Sequence, residues 1–222
     1  AHKFETNREP CFYRNNPESE DRREAKCLIY NYLKDCYDSE TIHLNYKCFS
    51  GVRCDFMIER PDNHKVVVEL QRLELKTKEW ERKNEIYKAN NVFPIWILFG
   101  KLLKNYSFTD LRYFERLNLL DNQDNILRII DTASKTLTLL KEINWKNPKT
   151  GQILNRTLFS KSYNLIDRQA PKGNILKDFL QSYQEKKKKF EKECETEALL
   201  AATYHQEIHD QVPNHKEIIN RF

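Results

Sequence analysis

The sequence predicts an α/β fold: a mixed central sheet flanked by helices, with a helical C-terminal extension. Apolar residues recur at helical spacing from Ala25 to Leu33. Two apolar runs flank a turn at 61–64, and a nearly continuous apolar run occupies residues 93–99. These patterns are typical of an amphipathic helix, of a strand pair, and of a strand that is buried on both faces.

The first predicted helix begins near Pro17, where acidic residues such as Glu18 and Glu20 suit the positive end of the helix dipole. Apolar residues alternate over 41–49, which predicts a strand, and Gly51 marks the turn that follows. Each element therefore has its own local signal.

The next elements form a compact series in the sequence. Residues 53–60 and 65–72 are predicted strands joined by a Pro-Asp-Asn-His turn. A helix over 76–91 and the strand at 93–99 follow. The predicted core order is therefore helix, three strands, helix, strand.

The second half of the chain is less regular. Residues 108–120 are predicted to be helical, and residues 125–143 to form a hairpin that extends the sheet. Residues 145–175 are rich in Asn, Lys, Gly and Pro, which predicts loops with a short strand or two. Residues 175–211 predict one long, charged helix. The predicted domains are 1–145, a loop-rich connection over 146–174, and the helix and tail over 175–222.

Composition limits the class of protein. Of the 222 residues, 39% are hydrophobic and 32% are charged, enough for a core with a well-solvated surface. The net charge of +5 suits a nucleic-acid partner without requiring one. No apolar stretch is long enough for a membrane span, and no secretion signal opens the sequence, so we expect a cytoplasmic protein. The six cysteines lack zinc-site spacing and are expected to be reduced structural thiols.

Three polar residues stand out on the two central strands. Asp55 lies in the first apolar run, while Glu69 and Gln71 share one face of the second, because strand side chains alternate. Carboxylates on apolar strands need a partner, and a divalent cation such as Mg2+ would supply one. Alternatively, Asp55 pairs with Arg53 or Lys47, and Glu69 lies on an exposed edge.

This arrangement resembles the PD-(D/E)xK nuclease superfamily, in which an Asp precedes a strand carrying Glu-x-Lys. Gln71 stands at the last position, a variant that the superfamily also shows. The neighbouring motifs are similar to the CoiA-like competence nucleases over roughly residues 1–145. They include an Ile-Trp-Ile-Leu strand at 95–98 and a helix motif that ends at Lys26, with Arg22 where the pattern has His.

The resemblance implies a restriction-endonuclease-like core and an Mg2+- or Mn2+-dependent active site. Asp55 and Glu69 would be metal ligands, together with the carbonyl of Leu70, and Gln71 would orient the attacking water. Glu20 is a further candidate ligand. Glu18 and Glu24 are alternatives to it, and Glu18 and Glu20 could instead satisfy the helix N-terminus.

Basic side chains near these acids are candidate contacts to DNA. Lys26 would contact a phosphate or be an ordinary surface lysine, and Arg82 and Lys83 would hold phosphates from the second helix. We expect Trp80 and Tyr87 to pack on the sheet instead of stacking on bases.

The resemblance implies a DNA endonuclease in bacterial DNA processing or defence. Two alternatives keep the fold without the activity. One is a DNA-binding module, and the other is an interaction module in which the 175–211 helix forms a homodimer or binds a protein partner.

Overall fold

The protein is described by a computed structural model. The described residues are 19–37, 41–72, 77–99, 125–166 and 175–211. No helix within those ranges is both long enough and apolar enough to cross a membrane.

The chain divides into two compact units that do not follow the predicted consecutive domains. The first comprises Ala1–Glu142 and Leu158–Leu180, and the second comprises Ile143–Thr157 and Gln181–Phe222. Each unit therefore combines two separate stretches of sequence, and the domain boundaries predicted from the sequence stay a prediction.

Within the described ranges, seven strands form one sheet in the order β1-β2-β3-β4-β5-β6-β7. They are β1 (Ile42–Leu44), β2 (Phe56–Glu59), β3 (Lys65–Arg72), β4 (Val92–Phe99), β5 (Leu127–Asp131), β6 (Thr136–Lys146) and β7 (Ile153–Asn164). The pairs β3–β4 and β4–β5 are parallel, and β1–β2, β2–β3 and β5–β6 are antiparallel. The described helices are α1 (Glu20–Cys36), α2 (Thr77–Ala89) and α3 (Ile175–Gln211). The predicted α/β class, mixed sheet and core order are confirmed.

The two faces of the sheet in the first unit carry different helices, because strand residues alternate. Val68 and Leu70 of β3 belong to a buried cluster with α1 residues such as Ile29. Val67 belongs to a second buried cluster that includes Trp80 and other residues of α2. The packing predicted for Trp80 and Tyr87 is confirmed, since both are buried there.

The predicted strand over 41–49 is longer than the observed β1. Asn45 adopts a left-handed φ of 47°, which ends the extended run after Leu44. A single bridge from Lys47 to Arg53 continues the pairing, and the short 3-10 turn Phe49–Gly51 lies between those two residues.

Loops with a short strand or two are predicted over 145–175, and the strand that the structure shows there, β7, is longer, with 12 residues. Most of its side chains are exposed or half-buried, and Tyr163 is its one buried residue. Such a strand has weak alternation in sequence and is held by its place beside β6. The hairpin predicted over 125–143 is confirmed by β5 and β6, whereas the helix predicted at 108–120 lies outside the described residues.

The part of α3 in the second unit is mostly exposed up to Tyr204, the last residue whose side chain is described, although Tyr183 and Cys194 are buried. Lys187 and Lys189 each lie within 4 Å of a glutamate one turn later, at 3.7 and 3.8 Å. Leu199, Leu200 and Tyr204 are exposed. Pairing of this helix with a partner stays a prediction.

Candidate active site

The β2–β3 pair brings two acidic side chains to the same place. Phe56 of β2 lies opposite Val68 of β3 in an antiparallel register. Asp55 directly precedes Phe56 and Glu69 directly follows Val68, so the two acids lie side by side next to that pair. Both are buried, with 4% and 3% of their surface exposed. They line one cavity of about 260 Å³ together with cationic and polar side chains. The other residues lining the cavity are Arg22, Asn45, Arg53, Cys54 and Lys83.

Asp55 is surrounded by hydrogen-bond donors. The Arg22 guanidinium donates to Oδ1 and Oδ2 at 2.7 and 2.8 Å. The Lys26 ammonium lies 3.0 Å from Oδ1, and the Leu70 backbone N–H donates to Oδ2 at 2.8 Å. Lys26 also donates to Asn45 at 2.9 Å. Two cations thus neutralise Asp55, and neither Arg53 nor Lys47 is the partner.

Glu69 is held from the other helix. The Lys83 ammonium lies 2.8 Å from Oε1, and the Tyr87 hydroxyl donates to the same oxygen. Glu69 lies in a central strand, so the alternative of an exposed edge is wrong. Burial raises the pKa of Glu69, the Lys83 ammonium opposes that rise, and the nearby Asp55 carboxylate adds to it.

Comparison with known families agrees with this geometry. The family model described as "Competence protein CoiA, nuclease-like domain" matches residues 18–171. The chain belongs to this family. That match confirms the resemblance found in the sequence and contains every residue that lines the cavity.

Two further searches add no close relative of this CoiA nuclease-like chain. None of the curated proteins matches it significantly. An XisH family protein from Nostoc punctiforme aligns with a TM-score of 0.26 and 10% identity. That alignment covers 59% of this chain and 98% of the other.

The structure brings some of the other predicted site residues to the two acids. Lys26 is 1% exposed and contacts Asp55, so it is not an ordinary surface lysine. Lys83 contacts Glu69 and lies 5.8 Å from the Trp96 ring centroid. The backbone of Leu70 is already engaged with Asp55 through its N–H.

Other predicted site residues lie elsewhere in this CoiA-like fold. Glu20 is exposed in the first turn of α1, and Arg82 is exposed on α2, so neither lines the cavity. Gln71 is half-buried two residues after Glu69 on β3, and it does not line the cavity. We attribute the placement of Glu20 to its position at the helix start, one and a half turns before Lys26.

Sequence reasoning missed three residues that contact the acids or their partners. Arg22 precedes Lys26 by four residues, the spacing that places two side chains on one helix face, and this signal could have identified it. Tyr87 was assigned to packing alone, although its hydroxyl binds Glu69. Asn45 gave no sequence signal, because its place depends on the end of β1.

Two thiols adjoin the cavity of the CoiA-like site. Cys48 and Cys54 are free cysteines whose sulfurs are 3.0 Å apart. Burial raises the pKa of both thiols, which keeps them protonated at neutral pH. They therefore pack as small, weakly reactive side chains.

The residues of this CoiA-like site fit a hard divalent cation. The described ranges contain no group of three or more His, Cys, Asp or Glu side chains arranged for a metal. Mg2+, however, is commonly held by one or two carboxylates, with waters and substrate phosphates as its other ligands. Asp55 and Glu69 supply two carboxylates whose mutual repulsion contributes to the raised pKa of Glu69. A cation between them would relieve that repulsion.

The raised pKa of Glu69 predicts how stability depends on pH. The pKa of Glu69 in the folded state lies above its usual value near 4.5. The stability that Glu69 contributes is therefore fully present below pH 4.5 and is lost as pH rises through the folded-state pKa. As pH rises through this range, we expect the free energy of unfolding of the wild type to fall relative to that of Glu69→Gln. Urea unfolding at a series of pH values in EDTA measures the difference.

Glu59→Gln is the matched control. A hydrogen bond from Lys65 lowers the pKa of Glu59, so the stability that it contributes is present at higher pH and lost as pH falls through its folded-state pKa. The wild type should therefore gain stability relative to Glu59→Gln as pH rises. Parallel pH curves for the wild type and Glu69→Gln would contradict the prediction.

Proposed function

We propose that this protein is a metal-dependent DNA endonuclease that hydrolyses phosphodiester bonds, with Mg2+ or Mn2+ as its cofactor. One observation carries the proposal: two buried carboxylates from neighbouring strands line a single cavity that also presents cationic side chains. Membership of a nuclease-like family supports the same reaction class. A role in bacterial DNA processing or defence, in the cytoplasm, is part of the proposal.

Asp55 and Glu69 would hold the cation, together with the carbonyl of Leu70. The bound ion would activate a water and stabilise the charge that develops on the phosphate and the leaving oxygen. Lys83 and Tyr87 both bind Oε1 of Glu69, which fixes that carboxylate. Glu20 would join the ligand set only if the first turn of α1 moved toward the cavity.

Gln71 would orient the attacking water by hydrogen bonds. Its amide is uncharged, so it cannot offset the phosphate charge as a lysine would. The cationic groups around the cavity supply that charge instead. Lys83 contacts Glu69 and Arg22 contacts Asp55. Arg53 also lines the cavity and is exposed.

The DNA backbone is the proposed partner of the cavity and of the exposed Arg82 on α2. Phosphate contacts position a duplex or single strand without reading its sequence. The net charge of +5 supports such binding.

A cleavage assay tests the proposed function. Supercoiled plasmid and short single-stranded DNA are incubated with the protein in Mg2+, in Mn2+ and in EDTA. We expect nicked and linear products with either cation and none in EDTA. Intact DNA in every condition, with the protein folded and binding DNA, would overturn the proposal.

A second candidate function is DNA binding without cleavage, on the same fold. The observation that favours it is that protein donors already contact both oxygens of Asp55. In that case DNA binding would depend on salt concentration and not on divalent cations. The same assay separates the two functions, because only the nuclease yields cut products.

A further inference from the structure

Protein groups already contact both oxygens of the Asp55 carboxylate. An ionised carboxylate offers about four acceptor sites. One nitrogen of the Arg22 guanidinium, Nη2, donates to both oxygens, the Lys26 ammonium lies 3.0 Å from Oδ1, and the Leu70 N–H donates to Oδ2. A divalent cation can therefore coordinate Asp55 only when one of these donors withdraws.

The three donors differ in their freedom to withdraw. Lys26 is 1% exposed and is also tied to Asn45 at 2.9 Å. The Leu70 N–H belongs to the backbone of β3, in the interior of the sheet. The Arg22 side chain is 27% exposed, and its guanidinium reaches Asp55 from the cavity that both residues line. Arg22 is the donor that can leave without unfolding a strand or exposing a buried lysine.

A phosphate group is the ligand that would draw Arg22 away. The guanidinium binds phosphate and carboxylate with the same paired hydrogen bonds, so one can replace the other at little cost. The cavity also presents Lys83 and Arg53, which would attract a phosphate to this place. Phosphate arrival thus exchanges one anionic partner of Arg22 for another.

We propose that Arg22 couples the two ligands of the site: it holds Asp55 until a DNA phosphate takes its guanidinium, and only then does Asp55 accept the divalent cation. This inference rests on the proposed function, because it assumes that Asp55 is a metal ligand. Arg22 acts here as a positioning residue. The coupling is reciprocal, so the cation must strengthen DNA binding by the same factor that DNA strengthens cation binding.

The test measures Mn2+ binding directly, by the electron paramagnetic resonance signal of free Mn2+. Wild type, Arg22→Ala and Arg53→Ala are titrated alone and with a short phosphorothioate-substituted DNA that resists hydrolysis. For the wild type we expect the DNA to tighten Mn2+ binding about fivefold or more, the lower end of typical coupling. In Arg22→Ala we expect tighter Mn2+ binding than in the wild type without DNA. The gain with DNA should be smaller, because only direct coordination by the DNA phosphate remains.

Arg53→Ala is the matched control, because it removes a positive charge from the same cavity without removing a contact to Asp55. If only the loss of a positive charge mattered, Arg22→Ala and Arg53→Ala would increase the affinity for Mn2+ by the same factor. That result would overturn the proposal. Unchanged Mn2+ affinity in Arg22→Ala without DNA, or a gain with DNA as large as in the wild type, would also overturn it. Arg22→Met, which keeps the length of the side chain without a donor or a charge, gives the same comparison if Arg22→Ala does not fold.

Glu69→Gln separates failure of this inference from failure of the proposed function. Mn2+ binding that is lost in Glu69→Gln but unaffected by Arg22→Ala would refute the coupling and leave the metal site standing. The absence of saturable Mn2+ binding in every protein, with and without DNA, would refute both.

Discussion

Replacing Glu69 with glutamine is expected to reduce cation-dependent DNA cleavage about a hundredfold or more. A bound cation supplies several kcal/mol of transition-state stabilisation, and about 1.4 kcal/mol corresponds to a tenfold change in rate. Glutamine keeps the size of the side chain and an oxygen that can accept from Tyr87 and Lys83, so its neighbours can stay in place. Initial rates of plasmid nicking in Mg2+ and Mn2+ measure the effect.

Glu59→Gln is the control for this variant. Glu59 ends β2, is half-buried, and pairs with Lys65 away from the cavity. It should cleave at the wild-type rate. Equal cleavage by Glu69→Gln and the wild type would exclude Glu69 as a ligand of the catalytic ion.

Replacing Asp55 with alanine is expected to destabilise the fold by about 3–5 kcal/mol, the usual cost of removing one partner from a buried ion pair. Lys26 would lose its carboxylate partner while it remains 1% exposed, and the Leu70 N–H would lose its acceptor. Arg22 can return to water, so most of the loss comes from Lys26. Urea unfolding in EDTA measures the change. Because this loss of stability would itself reduce cleavage, Asp55→Ala is a poor variant for testing the catalytic role of Asp55.

A second substitution identifies the source of that loss. Lys26→Met in the Asp55→Ala background removes the uncompensated charge and should recover most of the stability, because apolar residues can replace a buried ion pair. Glu59→Ala removes a half-buried carboxylate whose ion pair with Lys65 lies near the surface, and it should leave the unfolding midpoint nearly unchanged. If Asp55→Ala unfolded at the wild-type midpoint, the buried pair would not be contributing to stability.

Local patterns allowed much of the fold to be predicted. The turn at 61–64 and the apolar runs on either side of it predicted β2 and β3, and with them the proximity of Asp55 and Glu69. The long helix α3 was predicted over its full length. The bounds and length of β7 were not predicted, because its polar side chains carry little alternation and its pairing with β6 is not a local property.

The sequence by itself determined the order of the core elements, the family, and the two acids on neighbouring strands. The order of the elements and the two acids depend on periodicity and on a turn, which act over a few residues. The family follows from the resemblance of the motifs to those of CoiA-like nucleases. Only the tertiary structure decided what neutralises those acids. Arg22 is 33 residues from Asp55, and Tyr87 is 18 from Glu69, so their pairing depends on how α1 and α2 pack on the sheet. The same packing left Glu20 and Arg82 outside the cavity, because it fixes which turn of each helix faces the acids.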